Sequence, residues 1–275
     1  MDAEISDDQS AGNGEKISVR ESKMGLVSGS WSFMGYNPDM KYDLNELIQQ
    51  ADNADAESMK TAVMVMIADN CWKDHISQYI RYMTSLADNG DATGYILLGD
   101  AYLHGNGVRQ NPQKAIECYN QAAQKGEMFG YECIGMMYYE GTSIPQDYEK
   151  AFYYLKKIKG PKSFCSLYTL GEMHRQGFFV TKSYRNACIY YGKVVHSKTH
   201  HPELDDYYWR SCFRLGQAYH YGMGVKEDTH KARMLISKAT ELFGKRENPA
   251  EDISLSDIET ENMGFVSDKC FYIKQ

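Results

Sequence analysis

Three sets of residues in this sequence have types and spacings that could support chemistry. Gly105-x-Gly107 and Gly222-x-Gly224 could turn backbone N–H groups toward a phosphate. His196 and His200 stand at i, i+4, a spacing that on a helix aims two imidazoles at one metal ion. Seven cysteines (Cys71, Cys118, Cys133, Cys165, Cys188, Cys212 and Cys270) could ligate, pair or attack. Each set has a plainer explanation. The glycine pairs recur in phase with a longer repeat and so read as turns. Ser197-Lys198-Thr199 between the histidines and Pro202 after them make His196–Asp206 a solvated loop. The cysteines are odd in number, hold no CxxC and share no repeat position, which argues for reduced, mostly buried thiols. No nucleophile elbow, phosphate loop or paired metal motif is present. The expectation is therefore no enzyme, no catalytic residue, no cofactor and no metal.

The elements that carry these residues repeat. Leu98-Gly99, Ile134-Gly135, Leu170-Gly171 and Leu215-Gly216 are one position in four copies, and Ala115, Ala151, Ala187 and Ala232 are another. Glycine and alanine are 16 apart in every copy, and copies start 36, 36 and 45 residues apart. A period in this range marks a helical solenoid. Each unit reads as a helix A, a glycine turn and a helix B. Gly105, Gly141, Gly177 and Gly222 should end helix A in the left-handed conformation. Val108, Ile144, Val180 and Val225 should tuck the loop inward, and Asn111, Asp147, Ser183 and Asp228 should cap helix B, with Pro112 at a first helical position. A glycine inside helix A costs about 1 kcal/mol relative to alanine, so its recurrence implies close approach of a neighbouring helix.

Charge and hydropathy divide the chain. Of the net charge of −7, residues 1–60 hold −7, residues 61–244 hold +3 and residues 245–275 hold −3. The acidity sits at the ends, as in solvated tails, and the middle offers no electrostatic footprint for nucleic acid. No apolar run of about 18 residues exists, so no membrane insertion is expected. The acidic N-terminus (Asp2, Glu4, Asp7, Asp8) does not resemble a secretory signal. Residues 1–40 read as a disordered arm whose patch Met24–Tyr36 either docks on the first helices, the plainer reading, or serves as a short partner-binding motif. Residues 41–93 read as a degenerate capping repeat, with Val63 where the glycine should stand. Residues 94–244 hold the four repeats, and residues 245–275 form an acidic tail with an apolar end, able to fold back on the repeats.

Leu-Gly-x-x-Tyr-x-x-Gly-x-Gly-Val, then Asn/Asp-x-x-Lys-Ala, then a helix ending Ala-Ala-x-x-Gly, resembles the Sel1-like repeat, a tetratricopeptide-type helical repeat. The match is closest at 94–129 and 211–244. At 166–197 it departs, with His174 for tyrosine, Phe179 for the second glycine and Asn186 for lysine. The resemblance implies an all-α, right-handed α–α superhelical solenoid whose A helices line a concave face. Counted from the repeat glycine, the inward side chains should be Ile96, Asp100, Leu103 and His104; Glu132, Met136, Tyr139 and Glu140; Tyr168, Glu172, Arg175 and Gln176; Phe213, Gln217, His220 and Tyr221. An aromatic, mildly acidic groove of this kind suits a peptide or protein partner. The implied role is a monomeric, cytoplasmic, bacterial adaptor or scaffold. The alternatives are a secreted effector acting on host proteins, or a relative of the secreted cysteine-rich class associated with β-lactams, whose repeats carry phased disulfides that this chain lacks.

Overall fold

The computed structural model describes residues 40–158, 163–197 and 206–244. The arm, the acidic tail and most of the His196–Asp206 insertion lie outside the described residues. Within them stand eleven α-helices and no strand: α1 (Leu44–Asp52), α2 (Ala56–Ala68), α3 (Ile76–Asp88), α4 (Ala92–His104), α5 (Pro112–Gln124), α6 (Phe129–Glu140), α7 (Tyr148–Lys156), α8 (Phe164–Gln176), α9 (Tyr184–Val195), α10 (Asp206–Tyr221) and α11 (Thr229–Gly244). They fall into two compact units, one ending at Tyr82 and one beginning at Met83, both inside α3.

In the first unit Asp43 caps α1 by accepting from Asn45 N at 2.9 Å, and Asp55 caps α2 by accepting from Ser58 N at 2.8 Å. Residues 62–67 of α2 are buried without a break, and Val63 is fully enclosed. Its isopropyl group fills the position that glycine holds in the later repeats. The Tyr82 hydroxyl donates to Asp52, which also pairs with Arg81. Burial, then Asp52, pushes the Tyr82 phenol up to about 12.

The second unit is built from the antiparallel pairs α4/α5, α6/α7, α8/α9 and α10/α11, each B helix also packing on the following A helix. Asn111, Asp147, Ser183 and Asp228 each accept from the backbone N–H three residues on, at 2.9–3.2 Å, which satisfies one orphan donor of each helix start. Gly105, Gly141, Gly177 and Gly222 have φ between 65° and 81°, the left-handed stop that a side chain adopts at a cost. Phe179 takes φ 62° where the first and last repeats place Gly107 and Gly224, and its ring is 54% exposed.

The repeat glycine has a specific reason. A Cβ on Gly99 would come within 2.6 Å of the Tyr119 ring, and one on Gly171 within 2.5 Å of the Tyr191 ring. Leu155 stands in the same way over Gly135 and Ile236 over Gly216, both at 2.7 Å. The neighbour is therefore the residue four after the repeat alanine in the B helix of the same unit. Glycine lets that side chain lie across helix A, and the buried alanines (0–2% exposed) let the two helices close on it.

Candidate functional site

The A helices are buried at their middles and open at their C-terminal ends. Three residues before the glycine, Ile96 and Phe213 are 1% and 3% exposed and offer no surface to a partner. Glu132, in the same row, is buried and accepts from Ser166 Oγ at 3.1 Å. Tyr168 packs its ring against Tyr191 and Tyr207, at 5.8 Å and 5.6 Å between centroids. The groove expected at these positions needs correction at Ile96, Glu132 and Phe213, which are buried, while Tyr168 is half-buried. Glu132 and Tyr168 face the next A helix, through Ser166 and Tyr207, whereas Phe213, in the last repeat, packs with Trp209, Ala239, Leu242 and Phe243.

The residue after the glycine is the polar row. Asp100, Met136, Glu172 and Gln217 occupy it, and wherever a repeat follows, each interacts with the residue two before the next glycine, by direct contact from Met136 and Glu172 and through charge from Asp100. Thr169 Oγ1 lies 3.6 Å from Met136 Sδ. Arg214 Nε lies 3.2 Å from Glu172 Oε1, with both side chains about nine-tenths buried. Asp100 faces Cys133 at that place, close enough for its charge to raise the thiol's proton affinity, after burial itself.

Glu172 is fully provided for. Its carboxylate receives Arg175 Nη2 at 2.8 Å on Oε2, and Arg214 and the Tyr191 hydroxyl, at 2.6 Å, on Oε1. Gln217 accepts from Arg214 Nη1 at 3.2 Å. Burial would push Glu172 up, but the Arg214 and Arg175 guanidinium groups overcome it and hold the carboxyl below its ordinary range. Asp100 has the same tyrosine, since the Tyr119 hydroxyl donates to its Oδ1. Among the described residues no guanidinium acts on it. Oδ2 is enclosed without a hydrogen-bond partner, and burial, opposed only by the Tyr119 bond, pushes Asp100 up to about 7.

Beyond the polar row the face opens. Four residues after the glycine, Leu103, Tyr139, Arg175 and His220 are half-buried. Tyr139 packs edge-on against Tyr148, which stacks on Phe178 at 4.4 Å, so it joins two helices instead of standing free as an anchor. Five residues after the glycine, His104, Glu140, Gln176 and Tyr221 are all exposed. Spacing alone named the +1, +4 and +5 rows but missed Arg214, Cys133 and Ser166. Its view of Tyr119 and Tyr191 stopped at packing. The usable signal was the chemical match between the residue after one glycine and the residue two before the next.

Among the described residues, no group of three or more histidine, cysteine or acidic side chains could hold a metal ion, and no helix is long and apolar enough to cross a membrane. None of the six described cysteines is joined in a disulfide, and three of them are buried.

The Sel1 repeat family matches four segments, residues 92–127, 134–158, 166–193 and 209–242. No curated protein matches the chain. Among solved structures, a protective antigen of uropathogenic Escherichia coli with a Sel1-like repeat fold is 20% identical, TM-score 0.48, over 74% of this chain and 49% of its own. This chain thus spans about half the length of that antigen. A Sel1 repeat protein from Oxalobacter formigenes is 22% identical, TM-score 0.51, over 62% of this chain and 68% of its own. A Sel1 repeat protein from Klebsiella pneumoniae is 15% identical, TM-score 0.43, over 73% and 93%. The four matched segments coincide with the four helix pairs of the second unit, and the chain is a Sel1-like repeat protein, an all-α helical repeat solenoid.

Proposed function

We propose that this chain is an adaptor or scaffold that holds a protein or peptide along the A-helix face of its four repeats. Sel1-repeat proteins are generally protein-interaction modules and mostly non-enzymatic. The observation that carries the reading is the exposed row His104, Glu140, Gln176 and Tyr221. These residues recur at one position of the repeat, so the fold presents them alike, yet they share no chemistry. Positions held by packing repeat a residue type, as the glycine and alanine do here. A row that is exposed and varied suits the reading of a partner that does not itself repeat. The half-buried row beside it, Leu103, Tyr139, Arg175 and His220, adds apolar and cationic surface at its edge.

Affinity capture from lysate of the native cell tests this. The intact chain is compared with a variant in which His104, Glu140, Gln176 and Tyr221 are alanine. A second variant changes Tyr153 and Met234, which are 58% and 60% exposed and lie on B helices. Circular dichroism establishes that both variants fold. Loss of a specific prey with the first variant and its retention with the second supports the reading. Equal recovery from all three baits removes the A-helix face as the binding surface.

A further inference from the structure

The residue after one repeat glycine interacts with the residue two before the next at three places, twice in direct contact. Met136 meets Thr169, a thioether beside a hydroxyl at 3.6 Å. Glu172 meets Arg214, an ion pair at 3.2 Å. Asp100 faces Cys133, and this pair alone is chemically unmatched. The second cation on Glu172 is Arg175, four after its glycine, and the equivalent residue beside Asp100 is Leu103. Both guanidinium positions around Glu172 are thus neutral around Asp100. A thiol and a leucine stand where the same fold elsewhere supplies two positive charges.

Asp100 is consequently a buried carboxyl with half of its hydrogen-bonding capacity unused. Oδ1 accepts from Tyr119, and Oδ2 accepts from none of the described residues. The ionisable groups facing it are the Tyr119 phenol on α5 and the Cys133 thiol on α6, both raised by burial and then by Asp100. His104, one turn further along α4, is exposed. No cation among the described residues acts on Asp100. An enclosed, unpaired carboxylate is costly, and a protein that retains one gains when a cation arrives. Asp100 and Cys133 as residues keep partial exposure, so the contact lies at the rim of the A-helix face and not in a sealed interior.

We propose that Asp100 receives an arginine side chain of the bound polypeptide, whose guanidinium enters between α4 and α6 and takes the place over Oδ2 that Arg214 takes over Glu172. This rests on the interaction role proposed above and specifies its chemistry: the partner carries a basic residue that reaches the first two repeats. A guanidinium suits the place because it keeps its charge when desolvated and can bond the carboxylate while stacking on neighbouring apolar groups, here Leu103. Entry of the cation displaces the Asp100 proton, and so binding strengthens as pH rises through the Asp100 midpoint.

The test needs no natural partner. The full chain is labelled with carboxyl-13C aspartate, Asp100 is assigned by its loss in Asp100→Asn, and its titration is followed with N-acetyl-arginine amide or the neutral N-acetyl-citrulline amide. Saturating arginine amide is expected to lower the Asp100 midpoint by about one pH unit, the lower end of what an adjacent opposite charge does. The citrulline amide is expected to leave it in place. Cys133→Arg, which builds the missing cation into the chain, is expected to lower the midpoint without any ligand and to abolish the response to arginine amide. An unmoved midpoint with arginine amide overturns the proposal, even where Cys133→Arg lowers it, because the place is then unreachable. An equal response to the citrulline amide also overturns it. The capture experiment separates this from the interaction role: a prey retained by Asp100→Asn but lost with the exposed-row variant removes the arginine site alone.

Discussion

The Tyr191 hydroxyl reaches over Gly171 to bond Glu172 Oε1 at 2.6 Å, so a B-helix residue holds an A-helix carboxylate from behind. The first repeat makes the same connection from Tyr119 over Gly99 to Asp100. The other two repeats have Leu155 and Ile236 in the tyrosine position and Met136 and Gln217 in place of the acid. Tyrosine therefore appears where an acid follows the glycine, and an aliphatic side chain where none does.

Gly171→Ala is expected to destabilise the protein by about 2 kcal/mol, within the range for overpacking. Alanine would gain roughly 1 kcal/mol in helix propensity, but its Cβ lands 2.5 Å from the Tyr191 ring. The ring must move, and the bond to Glu172 goes with it. Urea unfolding with Gly192→Ala as control checks this, since a Cβ at Gly192 meets only His196, at 3.8 Å. Equal effects from the two changes would remove the close-approach explanation of the repeat glycine.

Glu172→Gln is expected to cost about 3 kcal/mol, because it strands the buried Arg214. The double change with Arg214→Met removes both charges and should recover most of that loss. A double-mutant cycle by chemical unfolding measures the coupling, and simple additivity would show that the two charges do not depend on each other.

Stability should also depend on pH through Asp100. Its folded midpoint, about 7, lies above the ordinary carboxyl value of 3.8, so the folded chain binds the proton more tightly than the unfolded chain. The favourable contribution is complete below the unfolded value and disappears as pH rises through the folded midpoint. Glu172, held low, has the opposite sign: its contribution is present above the ordinary glutamate value of 4.5 and is lost as pH falls through its lowered midpoint. Asp100→Asn should therefore flatten the stability profile between about pH 4 and pH 7 and stabilise the chain at pH 8 by about 1–2 kcal/mol. Melting temperatures of both proteins across that range decide it.

Thiol reactivity should be low in the folded chain. Burial pushes Cys118 and Cys188 up to about 11 and Cys212 up to about 12, leaving little thiolate at neutral pH. In a Cys270→Ala background, the six remaining thiols should react with a chromogenic disulfide at least tenfold more slowly before denaturation than after. Fewer than six titrating after denaturation without reductant would mean that disulfides have formed.

Much of this architecture could be read from residue spacing. The period, the left-handed glycines, the four caps and the buried alanines are local or repeat-periodic, and each is set by backbone stereochemistry or by a helix pair that recurs unchanged. Reading Gly99 and its counterparts as close-approach positions was sound for the same reason. Only the tertiary structure decided what the A-helix face offers. Phase puts Ile96, Glu132 and Phe213 on it, yet all three are buried, Glu132 against the next A helix through Ser166 and Phe213 in the core that α10 makes with α11, because burial between helices is not encoded within a single repeat. Whether an acid is satisfied was likewise hidden. Asp100 and Glu172 hold one sequence position, and their difference comes from residues more than thirty positions away, Cys133 and Arg214, brought beside them by repeat stacking. Spacing names a position; desolvation and the charge across the repeat interface determine the state of the group that stands there.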